Sequence, residues 1–250
     1  VEGEGVWTVV NGDSVAMRRG DFLPQAGWNW HAHHNAADAP MAWIDGLDIP
    51  YSYYTETQFF EFGRDVLSPG EMVTPSFSQS ERLWAHPGLV PVAPDKGAKG
   101  SPLLAYRWQH TDEALAQQIA LESEGYDATI EPGHAAVRFA DPRSGADILP
   151  TLRCEMHRIA AGKKTAPSQV VGSSVVQVFD GSGTVTVGDH SWPVGRGDMF
   201  VVPSWQELTI ESHVDQAKSD SGALDLFWFS DAPIIEAIGA HNLHRSGGSS

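Results

Sequence analysis

The sequence predicts a protein dominated by β-structure, with two related β-modules joined by a segment that contains one helix. Short runs of β-branched and aromatic residues alternate with Gly, Asn and Asp turns over the first fifty residues and again from His134 onward. The segment between them is rich in proline and glycine. The two β-rich stretches also share one order of motifs, which indicates an internal repeat.

The first β-rich stretch opens with an expected hairpin. Residues 6–10 and 14–18 are predicted strands, and Asn11-Gly12 between them is a strong signal for a two-residue turn. Gly20-Asp21 is a further turn. More short strands are expected at 22–23, 28–34 and 40–45. Strands this short with turns this close favour a sandwich or a barrel.

The rest of the chain is divided by composition. Residues 63–132 are predicted to be a linker with one helix at 111–124, where Thr111 caps the start and Gly125 stops the end. This places the first module at 1–62, the second at 133–232 and a tail at 233–250. The strands expected in the second module are 134–139, 151–159, 170–179, 183–187, 200–202, 207–212 and 224–229.

The repeat is visible as a series of motifs in one order. Each copy has a Gly-x-Gly, a strand, an Arg-Gly-Asp turn and, eight residues after the turn glycine, a tryptophan. The matching positions are Gly3 with Gly181, Gly20 with Gly197, and Trp28 with Trp205. Any one match could arise by chance, but the whole series indicates two copies of one β-module.

The two copies differ where chemistry is expected. Eleven residues after the turn glycine the first copy has His31, followed by His33 and His34, whereas the second copy has Leu208 and no nearby histidine. This asymmetry predicts one working site, in the first module, and one structural copy.

Charge and cysteine usage exclude several classes of partner. The 250 residues carry 16 Lys and Arg against 32 Asp and Glu, a formal net charge of -16, which argues against nucleic acids and acidic membrane surfaces. A small anionic substrate stays possible because a local site can be positive in a negative protein. The single cysteine, Cys154, excludes a disulfide framework and favours a reduced, cytoplasmic setting. The sequence also predicts no membrane-spanning helix.

The motifs of the first copy carry a family resemblance. Its Gly-x-Gly, strand, Asn-Gly, strand, Arg-Gly-Asp-Phe and Trp-x-Trp-His-x-His resemble the second half of the conserved region of a cupin barrel. Two segments resemble the gentisate 1,2-dioxygenase family, which includes salicylate and 1-hydroxy-2-naphthoate dioxygenases. They are Trp-Asn-Trp-His-Ala-His at 28–33 and Pro-Met-Ala-Trp-Ile-Asp-Gly-Leu-Asp-Ile-Pro at 40–50. Further matches lie at 101–106, 145–151 and 197–205. The resemblance implies a bicupin, with two double-stranded β-helix or jelly-roll barrels.

The resemblance also implies a metal site. The family holds Fe(II) on three histidines in the first barrel, and His31 matches one of them. The other two belong to an H-x-H that the pattern places upstream of Val1, about ten residues before it, so the chain is expected to be part of a longer protein. The second barrel is expected to be metal-free, because 166–172, the counterpart of the H-x-H, contains no His or carboxylate. The interpretation depends on His31 projecting into the cavity of the first barrel.

Two further residues are assigned to catalysis and substrate binding. The resemblance implies that His33 contacts the oxygens of the substrate; the alternatives are an exposed loop histidine, or a metal pair formed with His31. Asp45 resembles a position near the ring-binding pocket, and could equally be a turn aspartate that bonds its own backbone.

Aromatic and basic residues complete the candidate site. Trp30 and Trp43, with Trp28, either wall an aromatic pocket or pack in the barrel core. Arg107 and His110 are weaker candidates for a clamp on the substrate carboxylate, with surface positions as the alternative.

The function implied is Fe(II)-dependent ring cleavage of a 2-hydroxybenzoate-type acid by O2, with gentisate giving maleylpyruvate through fission between C1 and C2. A homotetramer is implied as well. The alternative is a catalytically silent, truncated cupin that binds an aromatic acid or only assembles with itself, and the missing H-x-H places the activity of this chain in question.

Overall fold

A computed structural model describes residues 2–3, 5–63, 77–92, 100–214 and 221–245. The chain divides into two compact units, of which unit 1 comprises 1–108 and 140–149 and unit 2 comprises 109–139 and 150–250. The four-part division predicted from the sequence stays a prediction. The segment predicted as a linker contributes residues to both units.

Unit 1 contains a three-stranded antiparallel sheet and two short helices. The elements are β1 (Val6–Val10), β2 (Asp13–Met17), β3 (His31–Asn35), α1 (Ile49–Tyr54) and α2 (Gln79–Trp84). The strand order is β2-β1-β3, so β3 lies at an edge. The predicted hairpin turn is confirmed, because Asn11 and Gly12 both have the positive φ that such a turn requires, 49° and 90°.

Two predicted strands of unit 1 are wrong. At 22–23 and 40–45 the structure has isolated bridges, which join Phe22 to Tyr106 and Ala42 to Glu2. Each stretch meets its partner at one residue pair, so no ladder forms. The strand predicted at 28–34 is observed later, at β3.

The helix α3 (Trp108–Ser123) begins three residues before the predicted start. Its first backbone N–H, on Trp108, donates to the carboxylate of Asp21 at 3.0 Å, which satisfies a donor that has no partner within the helix. Thr111 is therefore a buried residue inside the helix and not its cap. The predicted end is confirmed, since Gly125 has φ of 93° just beyond the last turn.

Unit 2 contains two five-stranded antiparallel sheets. The strands are β4 (His134–Arg138), β5 (Arg153–Ile159), β6 (Ser168–Val170), β7 (Ser174–Asp180), β8 (Ser182–Val187), β9 (His190–Gly195), β10 (Met199–Val202), β11 (Leu208–Ser212), β12 (Leu224–Ser230) and β13 (Leu243–Arg245). One sheet has the order β10-β7-β12-β5-β4 and the other β13-β6-β11-β8-β9. The helix α4 (Ala232–Ala237) lies between β12 and β13. None of the described helices is long and apolar enough to cross a membrane.

Three sequence predictions for unit 2 need correction. The strand predicted at 170–179 is two strands, β6 and β7, which belong to different sheets. The strand β9 is absent from the strands expected by composition, although the repeat implies one more strand before the Arg-Gly-Asp turn. Part of the predicted tail forms α4 and β13, and β13 pairs with β6.

One hydrophobic cluster joins the two sheets of unit 2 into a barrel. It takes residues from β5, β7, β10 and β12 on one side and from β8, β9 and β11 on the other. The fully buried members include Val176, Val178, Val185, Leu224 and Leu226. The sheets therefore pack face to face, as a jelly roll requires.

The internal repeat is present in the backbone as well as in the sequence. The paired glycines have matching positive φ angles, 99° and 85° at Gly3 and Gly181, and 83° and 92° at Gly20 and Gly197. The paired tryptophans are also left-handed, at 69° for Trp28 and 64° for Trp205. A left-handed tryptophan is uncommon, so its recurrence at both equivalent positions confirms the repeat.

We expect Gly181→Ala to destabilise unit 2 by more than about 3 kcal/mol, because an added Cβ would overlap the Ala223 carbonyl oxygen and φ is positive. The matched control is Gly195→Ala, where φ is ordinary and no atom lies near the added Cβ; it should change stability by less than about 1 kcal/mol. Urea unfolding of both variants measures the difference. Equal unfolding midpoints would contradict the steric requirement.

Candidate functional site

Strand register places His31 and His33 on one face of the unit 1 sheet. In unit 1, Val10 pairs with His31 and Thr8 with His33. Successive residues of a strand point to opposite faces, so the two histidines share a face.

The equivalent pairs in unit 2 show which face this is. There, Val187 pairs with Leu208 and Val185 with Ile210. Leu208 and Ile210 are both buried in the barrel core and both line its cavity. His31 and His33 therefore occupy positions whose counterparts face a barrel interior.

The prediction that His31 projects into an enclosed cavity is not met in this structure, where the His31 side chain is exposed. The physical reason is the position of β3 at the edge of a three-stranded sheet. In unit 2 the matching strand β11 is covered on that side by β6, through the pair Leu208–Ser168.

The local contacts of His31 favour metal ligation. Its Nδ1 lies 3.2 Å from the carbonyl oxygen of Asn29, which can only accept a hydrogen bond. Nδ1 therefore carries the proton in the neutral ring, and Nε2 presents its lone pair. A backbone carbonyl that fixes the tautomer in this way is the usual support of a histidine that binds metal.

His33 is surrounded by His31, Trp43 and Asp45. The ring of His33 lies 5.8 Å from that of His31 and 5.1 Å from that of the half-buried Trp43, measured between centroids. Desolvation and the charge of His31 hold the pKa of His33 below its ordinary value, although the exposed Asp45 opposes the shift. A neutral His33 can accept a proton from a bound hydroxyl group. The structure thus brings together four of the predicted site residues.

Trp28 and Trp30 are not core residues, because their side chains are 73% and 53% exposed. Trp28 stacks on Phe59 with 4.9 Å between ring centroids. The ring of Trp30 lies against Gly63, where an added Cβ would approach it to 3.2 Å.

Arg107 does not act as a surface residue or as a free substrate clamp. It is buried and ion-paired, with Nη2 donating to Glu81 at 2.8 Å and Nη1 donating to Asp21. Burial opposes its charge, but the bonds to Glu81 and Asp21 outweigh that effect, so its pKa lies above the ordinary value. His110 is exposed on α3. Arg107 therefore holds α2 and the Asp21 turn in place.

The described residues do not complete a metal centre. No group of three His, Cys, Asp or Glu side chains gathers closely enough to hold an ion in the part of the chain that the structure describes. Facial Fe(II) sites need three protein ligands. His31 fits one position of such a centre, and its partners are not among the described side chains.

The barrel of unit 2 encloses a second polar cluster, which lies in a cavity of about 250 Å³. His134 on β4 and His157 on β5 share a hydrogen bond of 2.9 Å between Nε2 and Nδ1. His134 Nδ1 also lies 3.1 Å from the carboxylate of Glu131. The indole of Trp228 on β12 lies 4.9 Å from the His157 ring.

Sequence reasoning missed this cluster, although a signal was available. Glu155-Met-His157 lies within a predicted strand, so its two ligand-type residues project from one face. The same spacing drew attention to His31 and His33. The cluster was overlooked because it lies outside the repeated motifs.

Comparisons with known proteins bear on both units. Residues 1–49 match the family model of the cupin domain. The chain is 52% identical over 246 residues to a gentisate 1,2-dioxygenase of Streptomyces sp., covering 98% of this chain and 65% of that enzyme. The chain therefore spans less than two thirds of the length of that relative.

Solved structures agree with the sequence comparison. The salicylate 1,2-dioxygenase of Pseudaminobacter salicylatoxidans superposes with a TM-score of 0.91 at 50% identity, covering 100% of this chain and 68% of that one. A variant of the same enzyme in complex with gentisate also gives 0.91 at 50% identity, covering 99% and 66%. The predicted bicupin, all-β fold with few helices is confirmed by these matches.

We expect the unit 2 cluster to make stability depend on pH. Burial, with the charge of His157, lowers the pKa of His134 to about 4, although Glu131 opposes the shift. Between pH 6.5 and 4 the unfolded chain binds a proton that the folded chain does not, so the folded state loses stability as the pH falls. Above pH 6.5 this effect costs the folded state no stability, and near pH 4 the loss in the free energy of unfolding is on the order of 3 kcal/mol.

Urea unfolding from pH 7 to pH 4 tests this dependence, with His134→Gln as the control for all other titrating groups. The stability difference between the wild type and the variant should shrink by that amount as the pH falls. A difference that is constant with pH would show that His134 titrates normally.

Proposed function

Because the chain belongs to the family of the gentisate and salicylate 1,2-dioxygenases, we propose that it acts in the ring-cleaving dioxygenation of a 2-hydroxybenzoate-type acid. Gentisate is the substrate that we place first. The observation that carries the proposal is the pair His31 and His33, whose counterparts in unit 2 face the barrel interior. The Nε2 of His31 presents its lone pair for binding.

The proposed reaction breaks the ring bond between C1, which bears the carboxylate, and C2, which bears the hydroxyl. Both atoms of one O2 enter the product, so gentisate becomes maleylpyruvate. The aromatic ring is oxidised and O2 is reduced, and no further reductant is needed. Salicylate and 1-hydroxy-2-naphthoate have the same carboxylate and ortho hydroxyl, and selection among them depends on a few contacts in the pocket.

His31 is the proposed ligand for Fe(II) in this chain. By analogy with β6 beside β11, the two partner histidines would come from a strand beside β3, at positions upstream of Val1. When bound, Fe(II) supplies a positive charge that a carboxylate and hydroxyl can chelate, together with electron transfer toward O2.

The remaining predicted residues act on the substrate in this proposal. His33 accepts the proton of the ring hydroxyl, which its lowered pKa permits at neutral pH. Trp43, whose ring faces His33, forms a wall for the aromatic ring. Asp45 orients His33 or bonds the second hydroxyl of gentisate, and Trp30 contributes at the rim. A homotetramer and a cytoplasmic location stay predictions.

Oxygen consumption tests the proposal directly. The protein expressed together with the segment upstream of Val1 and supplied with Fe(II) should consume O2 when gentisate is added, and mass spectrometry under 18O2 should find both labelled atoms in the product. Iron-loaded protein that consumes no O2 with gentisate, salicylate or 1-hydroxy-2-naphthoate would contradict it. If the same protein still bound gentisate, the silent, ligand-binding alternative would be favoured.

Substitution of the two histidines separates their roles. His31→Gln should lower the bound iron by about tenfold or more and remove O2 consumption. His33→Phe should retain the iron, but it should lower kcat by about a hundredfold because the proton acceptor is lost. Metal analysis and an oxygen electrode measure both effects.

The matched control for these variants is His34→Phe, since His34 lies on the opposite face of β3 and packs against Trp7. It should retain both the iron and the activity. Loss of iron in the His33 variant, with retention in the His31 variant, would reverse the assignment.

A further inference from the structure

We propose that Asn11 is a positioning residue for His31, and that it acts through the peptide group that joins Asn29 to Trp30. This role rests on the proposed function, in which His31 is the Fe(II) ligand of this chain. Asn11 lies in the two-residue turn between β1 and β2 and has no direct contact with metal or substrate in that proposal.

One peptide group is contacted by both side chains. The Trp30 N–H donates to Asn11 Oδ1 at 3.1 Å. The Asn29 carbonyl oxygen lies 3.2 Å from His31 Nδ1. These two backbone groups belong to the same peptide unit, which is planar and trans, so its N–H and its C=O point in opposite directions. Fixing the direction of the N–H therefore fixes the direction of the carbonyl that accepts from His31.

Two further hydrogen bonds hold this peptide unit to the turn. The Asn11 backbone N–H donates to the Trp30 carbonyl oxygen at 2.8 Å. The Asn11 side chain also donates from Nδ2 to Asn29 Oδ1 at 2.8 Å. Asn11 thus binds both residues that form the peptide unit, which restricts rotation of the peptide plane.

Unit 2 provides an internal comparison. Asn11 follows the β1 residue that pairs with His31. Gly188 follows the β8 residue that pairs with Leu208, so it is the counterpart of Asn11. Gly188 keeps the backbone bond, to the Glu207 carbonyl oxygen at 2.8 Å, but it has no side chain that could fix the peptide group. The side-chain clamp is therefore present in the copy with the histidine and absent from the copy with Leu208.

The hairpin turn does not by itself account for Asn11. Its φ of 49° is left-handed, a conformation that glycine adopts without steric cost and that asparagine also tolerates. Glycine would serve this turn as well, since Gly-Gly is an accepted sequence for it, and Gly188 has a similar φ of 55°. Asparagine adds an amide group, and that amide bonds to residues 29 and 30.

The consequence concerns the tautomer of His31. A carbonyl oxygen held beside Nδ1 keeps the proton on that nitrogen and leaves Nε2 with the lone pair that binds a metal. A neutral imidazole without such a partner exchanges its proton between both nitrogens, and a proton on Nε2 blocks ligation there.

Nitrogen NMR of the full chain with 15N-labelled histidine tests the proposal, with EDTA present and at about pH 9, where ordinary imidazoles are neutral. The His31→Gln spectrum identifies the His31 signals by their loss. In the wild type, Nδ1 should show the shift of a protonated nitrogen and Nε2 that of an unprotonated one. In Asn11→Gly, which keeps the turn, both shifts should move toward the average of the two tautomers. A wild-type His31 protonated on Nε2, or wild-type shifts in Asn11→Gly, would overturn the proposal.

Two further variants separate positioning from a general loss of hydrogen bonds. Asn11→Asp keeps an acceptor for the Trp30 N–H and tolerates a left-handed φ, so it should retain the wild-type shifts. Asn35→Ala removes two exposed hydrogen bonds at the other end of β3, to the Ala39 carbonyl oxygen and from the Ala37 N–H, and should also retain them. Averaged shifts in either of these variants would overturn the proposal.

Iron affinity gives a second readout, measured on the protein expressed together with the segment upstream of Val1. Competition with a coloured Fe(II) chelator should show about tenfold weaker binding in Asn11→Gly, a typical cost of losing a group that orients a metal-bound histidine. Equal affinity in the wild type and Asn11→Gly would overturn the proposal. A wild type that binds no Fe(II) would contradict the proposed function instead, and the tautomer of the metal-free chain is measured independently of it.

Discussion

The register between β1 and β3 is the constraint on which the candidate site depends. The pairs Val10–His31 and Thr8–His33 fix which face of the sheet carries the two imidazoles. A slip of one residue would move both away from the face that carries the buried Val6, Val10 and Val15. Unit 2 holds the same register with hydrophobic residues, Leu208 and Ile210, and closes a packed barrel over them. The same backbone therefore supports either a hydrophobic core or a polar site, and the side chains at two positions decide which.

Local signals predicted the parts of the fold that local interactions determine. The Asn11-Gly12 hairpin turn and the stop at Gly125 both follow from backbone preferences of single residues. The start of α3 could not be predicted in this way, because Asp21 receives the Trp108 N–H from 87 positions away. The start of α2 differs, because Asp13 accepts from the Gln79 N–H but a local signature is also present, the capping box formed by Ser78 and Glu81. Only the tertiary cap of α3 leaves no signature beside the helix.

The candidate site could be predicted within the motifs that the two copies share, and not outside them. The comparison of two copies directed attention to His31 and His33, because their counterparts are not histidines. It also directed attention away from unit 2, whose cluster uses β4 and β5, outside the compared motifs. The environment of His31 could not be predicted from the sequence either. Its exposure follows from the edge position of β3, and its tautomer follows from the Asn29 carbonyl.

The two polar clusters differ in how far they are buried and in how their imidazoles are hydrogen-bonded. At His31 and His33 two exposed imidazoles lie near one exposed carboxylate, that of Asp45, and this is the proposed position of the metal ion and the aromatic acid. In unit 2 the acceptor chain runs from Glu131 through His134 to His157 and ends beside a second carboxylate, Glu155. Burying that chain costs free energy that an apolar filling, as at Leu208, would not. The barrel nevertheless retains two carboxylates and two imidazoles, and they compensate one another, because Glu131 accepts from His134 and Glu155 lies beside His157.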